Sequence, residues 1–99
     1  MRLTASQGNI TKSTVDRVLG VESRVWLFGS RVDDALRGGD IDLLIETDAA
    51  LPNRARALCR LYGALICALG DRKLDILLKD PRTPDAPVFN IAKRTGVIL

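Results

Sequence analysis

The sequence predicts an α/β (α+β) fold, a small mixed sheet of about three or more strands flanked by helices, and three observations carry that expectation. Apolar residues switch along the chain between helical spacing and short β-rich runs, in the order helix, strand, helix, strand, helix, strand, helix. The 99 residues suffice for a single domain, 1–99, and a second one is not expected. The link between the first two strands falls short of the dozen or so residues a parallel crossover usually needs, so those strands are expected to pair antiparallel within a mixed sheet.

Each element has a local cause. Ile10, Val15, Val18 and Leu19 approximate helical spacing, and Gly20 supplies a stop. Arg24 to Phe28, RVWLF, is short, rich in β-branched and aromatic residues, and runs into Gly29-Ser30: a strand entering a glycine turn. Residues 30–37, SRVDDALR, have a Ser N-cap, Asp33 three residues later and Gly38-Gly39 as a terminator, which predicts a two-turn helix. Asp40 to Glu46, DIDLLIE, alternates as far as Leu43 and is then continuously apolar, as a strand is when one end meets solvent and the rest is covered.

The longest helix is expected from Leu51, with Pro52 at its first position. Its apolar seam runs through Leu51, Ala55, Leu58, Tyr62, Leu65 and Leu69 and ends at Gly70. Leu61 and Ile66 fall off that seam. They predict an apolar surface wider than three strands cover, to be covered either by the first and last helices or by a homo-oligomer or a second protein. Lys73 to Leu78, KLDILL, reads as the third strand. The Pro-rich link PRTPDAP then leads to a short helix over Val88 to Thr95, with Gly96 after it.

Composition narrows the chemistry. An apolar share of 46% and a charged share of 27% exclude a disordered or collagen-like chain. With no histidine, Ser-His-Asp and Cys-His catalysis and His-ligated zinc are excluded within the chain, which leaves carboxylates, hydroxyls, Arg and Lys. Cys59 and Cys67 lie in one expected helix about 12 Å apart in rise, too far for a disulfide, and read as buried free thiols of a reducing compartment. The segment MRLTASQGNITKS has no apolar signal core and no run is long enough to span a membrane, so a cytoplasmic location without membrane contact is expected. The net charge of +3 comes from basic residues spread along the chain without a dense block.

Three aspartates and a glycine turn carry the chemistry. Asp40 and Asp42, two apart on a strand, project from one face and repel each other unless a cation lies between them; a solvated strand end is the plainer account. Magnesium suits such a pair because it takes hard oxygen ligands. Asp75 interrupts an apolar strand, where an unpaired carboxylate would cost several kcal/mol, so it calls for a cation: a metal, or Lys73 on the same face. Gly29-Ser30 at a strand-to-helix junction suits a phosphate, or is merely a turn and a cap.

The run Leu27-Phe28-Gly29-Ser30-Arg31, followed by Asp40-Ile41-Asp42-Leu43-Leu44-Ile45, resembles the signature of the DNA polymerase β-like nucleotidyltransferase superfamily, with Asp75 as the third carboxylate on a later apolar strand. The resemblance spans Val25 to Leu78, and the single short domain is similar to the minimal nucleotidyltransferases of bacteria and archaea. It implies a nucleotidyltransferase-like fold. It implies that Asp40, Asp42 and Asp75 are the catalytic metal ligands, holding two Mg2+ ions or Mn2+ in their place, and that Asp75 helps take the acceptor's proton. Gly29, Ser30 and Arg31 would hold the phosphates of an NTP, ATP in the first instance. The implied reaction transfers NMP to an acceptor hydroxyl and releases pyrophosphate. Members of this group pair with small helical HEPN-type proteins in toxin–antitoxin modules, which implies such a partner as acceptor. Two other readings stand beside it. One is a catalytically silent module of the same fold that caps a partner, opposed by the intact carboxylates. The other is a nucleic-acid-binding domain, suggested by a pI of 9.2 but opposed by scattered charges and 4% aromatics, so direct nucleic-acid binding is not expected.

Overall fold

The computed structural model of the chain describes residues 4–28, 41–70 and 73–99; the helix expected over 30–37 lies outside them. Helix α1 (Ala5–Leu19) starts at a capping box, in which the Thr4 hydroxyl accepts from the Gln7 N–H and the Gln7 side chain accepts from the Thr4 N–H. It stops at Gly20, whose φ of 68° is left-handed and whose N–H reaches the Asp16 carbonyl at 2.9 Å. Asp16 also accepts from Ser23 Oγ at 2.8 Å, which ties the helix end to β1 (Ser23–Phe28).

β1 pairs antiparallel with β2 (Ile41–Thr47), and β2 pairs parallel with β3 (Leu74–Lys79). The parallel pair is joined through α2 (Arg54–Leu69), long enough to bring the chain back to the same edge. After α3 (Pro87–Thr95), with Pro87 in its first turn, the chain adds β4 (Val97–Ile98) antiparallel to β1, giving the order β3-β2-β1-β4. The mixed sheet flanked by helices is thus the expected fold class, with a fourth strand that two residues were too few to announce.

Alternation divides the side chains between two layers. Val25, Leu27, Ile41, Leu43, Ile45, Leu74, Ile76 and Leu78 face α1 and α2 and bury against Val15, Leu61 and Leu65. Trp26, Phe28, Leu44 and Leu77 take the other face, under Phe89 and Ala92 of α3. Gly96 permits that second layer. A Cβ there would lie 2.5 Å from the Ala92 carbonyl oxygen and 2.8 Å from that of Leu27, so only glycine lets the end of α3 abut β1.

Three local expectations are corrected. Pro52 is not the first residue of α2; Asn53 is the N-cap, its Oδ1 accepting from the Arg56 N–H at 3.0 Å, and Leu51 is held outside the helix. The buried stripe of α2 centres on Leu61 and Leu65, flanked by Ala57, Leu58, Tyr62 and Leu69, while Ala55 is exposed. The helix packs on both α1 and β3, and this pair of contacts rotates the stripe away from the seam that spacing alone suggests. Leu61 therefore belongs to the core, whereas Ile66 is exposed. Cys59 and Cys67 are free, as expected, but exposed rather than buried, because they lie on the solvent side of that rotated helix.

Candidate active site at the starts of β2 and β3

The strand directions put one end of β1 and the starts of β2 and β3 at the same sheet edge. Phe28, Asp42 and Asp75 form a row across the three strands there, with Phe28 opposite Asp42 and Asp42 opposite Asp75. Adjacent strands lie about 4.8 Å apart, so the two carboxylates are cross-strand neighbours on the face that α3 covers further along. Asp42 is half-buried and Asp75 exposed.

The exposure of Asp75 corrects the reason for singling it out. β3 is an edge strand: Leu74, Ile76 and Leu78 turn inward and the opposite face at Asp75 meets solvent, so no burial cost demands a cation. The alternative ion pair with Lys73 is not formed, and among the described residues Asp75 has no salt bridge. What singles Asp75 out is its register with Asp42, a non-local fact. Asp40, Gly29, Ser30 and Arg31 lie outside the described residues. Among the described residues no group of three or more potential metal ligands converges, and Asp42 and Asp75 are the two carboxylates of the expected set that the structure brings together.

Two further carboxylates, passed over in the sequence, are committed to the fold. Asp80, at the end of β3, is buried with 1% exposure. Its Oδ2 accepts from the Leu51 N–H at 2.9 Å, and its Oδ1 accepts from the Arg82 N–H at 3.1 Å and from Thr83 Oγ1 at 2.9 Å. Arg54 Nε lies 3.9 Å away while its Nη2 donates to the Leu78 carbonyl at 2.6 Å. The bond from Leu51, together with those from Thr83 and Arg82 and the Arg54 charge, outweighs burial and holds the Asp80 carboxyl below the usual range. The only signal in the sequence was an Asp just before a proline turn, which reads equally as a loop.

Glu46 lies on the same face as Asp42 but at the far end of β2. It accepts from Lys93 Nζ at 2.6 Å and from Arg24 Nη2 at 2.9 Å, and Arg24 also bonds Asp48 at 2.8 Å. Burial pushes the Glu46 carboxyl up, but the bonds from Lys93 and Arg24 prevail and leave it lowered. Lys93 also sits 5.3 Å from the centre of the Trp26 ring and Lys79 of β3 sits 5.7 Å from that of Phe89, so α3 is pinned by one ion cluster and two cation–π contacts. Glu46 is thus held by two basic side chains and Asp80 by two backbone N–H groups, a hydroxyl and the nearby Arg54 charge, which gives both acids a structural role.

No helix among the described residues is long and apolar enough to cross a membrane. Compared with protein-family models and with curated proteins, the chain matches none.

Proposed function

We propose that this chain is a divalent-metal-dependent nucleotidyltransferase that moves an NMP, AMP in the first instance, from an NTP to an acceptor hydroxyl. The observation that carries the reading is the in-register pair Asp42 and Asp75, in a chain whose sequence places Gly29-Ser30-Arg31 directly after β1 and Asp40 directly before β2. Two hard oxygen donors on adjacent strands suit Mg2+, which takes one or two carboxylates and completes its shell with water and phosphate oxygens. When bound there, the metal would neutralise phosphate charge and lower the pKa of the acceptor hydroxyl.

The chain's own residues have distinct tasks. Asp42 and Asp75 hold the cation, joined by Asp40 on the strength of the resemblance. The exposed Asp75 carboxylate is also accessible to take the proton of the incoming hydroxyl. Following the resemblance, Ser30, Arg31 and the amides after Gly29 would supply donors to the phosphates. The acceptor oxygen forms a bond to the α-phosphorus, the bond to the pyrophosphate oxygen breaks, and the hydroxyl proton leaves to the base. Following the resemblance, the acceptor belongs to a small helical protein of the HEPN type.

Calorimetry with ATP tests the reading. Binding should strengthen with magnesium and be lost in Asp42→Asn and in Asp75→Asn. The Asp75→Asn chain should keep or slightly raise its apo melting temperature, because like charges in register disfavour the fold by about 0.2–1 kcal/mol. ATP binding that is indifferent to magnesium, or to both substitutions, would refute the assignment.

A further inference from the structure

We propose that the groove between the end of α1 and the first half of α2 docks an acidic, apolar-anchored segment of a partner protein. The groove, of about 410 Å³, is lined by Val18, Leu19, Leu51 and Ala57 and flanked by Arg56 and Arg60. Both arginines are exposed and stand one helical turn apart. Among the described residues neither guanidinium has an ion-pair or hydrogen-bond partner, in contrast to Arg54, which holds Leu78 and Asp80.

The free chain gains nothing from this pair. Like charges four apart on a helix disfavour it by about 0.2–0.5 kcal/mol, and no acidic residue offsets them in the first turn of α2. Asp16, Glu46, Asp48 and Asp80 are each bonded to a basic partner elsewhere, so they do not serve Arg56 and Arg60. Charge complementarity therefore calls for carboxylates from outside the chain. The apolar lining decides what kind of chain bears them. A phosphodiester backbone offers charge but nothing to cover the half-buried Val18 and Leu19, and among the described residues no aromatic side chain lines the groove to stack a base. An amphipathic segment with leucines flanked by glutamates covers the apolar lining and pairs both arginines.

Fluorescence anisotropy with four labelled probes tests this on the whole chain. They are a short amphipathic Leu/Glu peptide, the same peptide with Lys for Glu, the same peptide with Ser for Leu, and single-stranded oligo-dT. The Leu/Glu peptide should bind at least about tenfold more tightly than the other three. The double substitution Arg56→Glu, Arg60→Glu should remove that preference while leaving the melting temperature little changed, because both side chains are exposed and one like-charged pair replaces another. Loss of binding would then not be loss of fold. Three results would overturn the proposal: Leu/Glu binding that survives the double substitution, equal or tighter binding of any other probe, or Arg56/Arg60-dependent self-association in light scattering.

Discussion

Asp80→Asn should unfold the chain far more easily than its size and place at a strand end suggest. The carboxylate accepts three bonds, two from backbone N–H groups and one from the Thr83 hydroxyl, within an environment that excludes water. Asparagine retains one oxygen. If it stays with Arg82 and Thr83, the new amide NH2 faces the Leu51 N–H, and donor meets donor. A buried donor left without its acceptor costs about 1–3 kcal/mol, and the surviving bonds weaken as the charge is removed, so a total near 2–3 kcal/mol is expected. For a chain of this length that lowers Tm by roughly 10–20 °C. The pH dependence follows from the lowered carboxyl of the folded state. Between the folded and unfolded pKa values the unfolded chain binds more protons, so this part of the stability is present above about pH 4, the unfolded value, and is lost as pH falls through the folded value. Thermal melts followed by circular dichroism from pH 7 down to pH 3 should therefore show a gap between wild type and Asp80→Asn that narrows with acid. Asp16, Glu46 and Asp48 titrate in both chains and cancel in the difference. A gap under about 0.5 kcal/mol at pH 7, the size of an ordinary surface change, or one that stays constant with pH, would refute the reasoning.

Other outcomes follow from the same structure. Gly96→Ala should cost about 1–3 kcal/mol, as overpacking does, and loosen β4, because the new methyl meets two backbone carbonyls that cannot move aside cheaply; urea melts measure the cost and amide exchange at Val97 and Ile98 locates it. Glu46→Gln should weaken the hold of Lys93 on α3 and alter the emission of Trp26, and an unchanged Trp26 spectrum together with unchanged stability would show that the cluster contributes nothing. Cys59 and Cys67 should both react with a thiol reagent in the native chain without denaturant, at rates similar to those in urea. Leu61→Ala should cost about 2–5 kcal/mol by chemical denaturation while Ile66→Ala costs little, since the first is buried on every side and the second faces solvent.

The sequence by itself determined what depends on near neighbours. Gly20 ends α1 because only glycine adopts the left-handed cap readily, and RVWLF, IDLLIE and LDILL form strands because their patterns suit a pleated, covered surface. The antiparallel pairing of β1 and β2 agrees with the expected arrangement, although the link from Phe28 to Ile41 is close to the length a parallel crossover needs and does not by itself decide the direction. Of the candidate site, the sequence singled out Asp42 and Asp75, but the burial expected of Asp75 does not hold: which strand lies at the edge, and which residue stands opposite which, is settled by pairing across the chain. The same holds for the tilt of the α2 stripe toward Leu61, the exposure of both thiols and the two-residue strand β4. Asp80 is the clearest case. Its role is created by Leu51, which is distant in sequence and is brought within 2.9 Å only when α2 returns the chain to β3. Periodicity reports how a residue relates to the next turn or the next pleat; the partner of a buried charge is fixed only once the layers have packed.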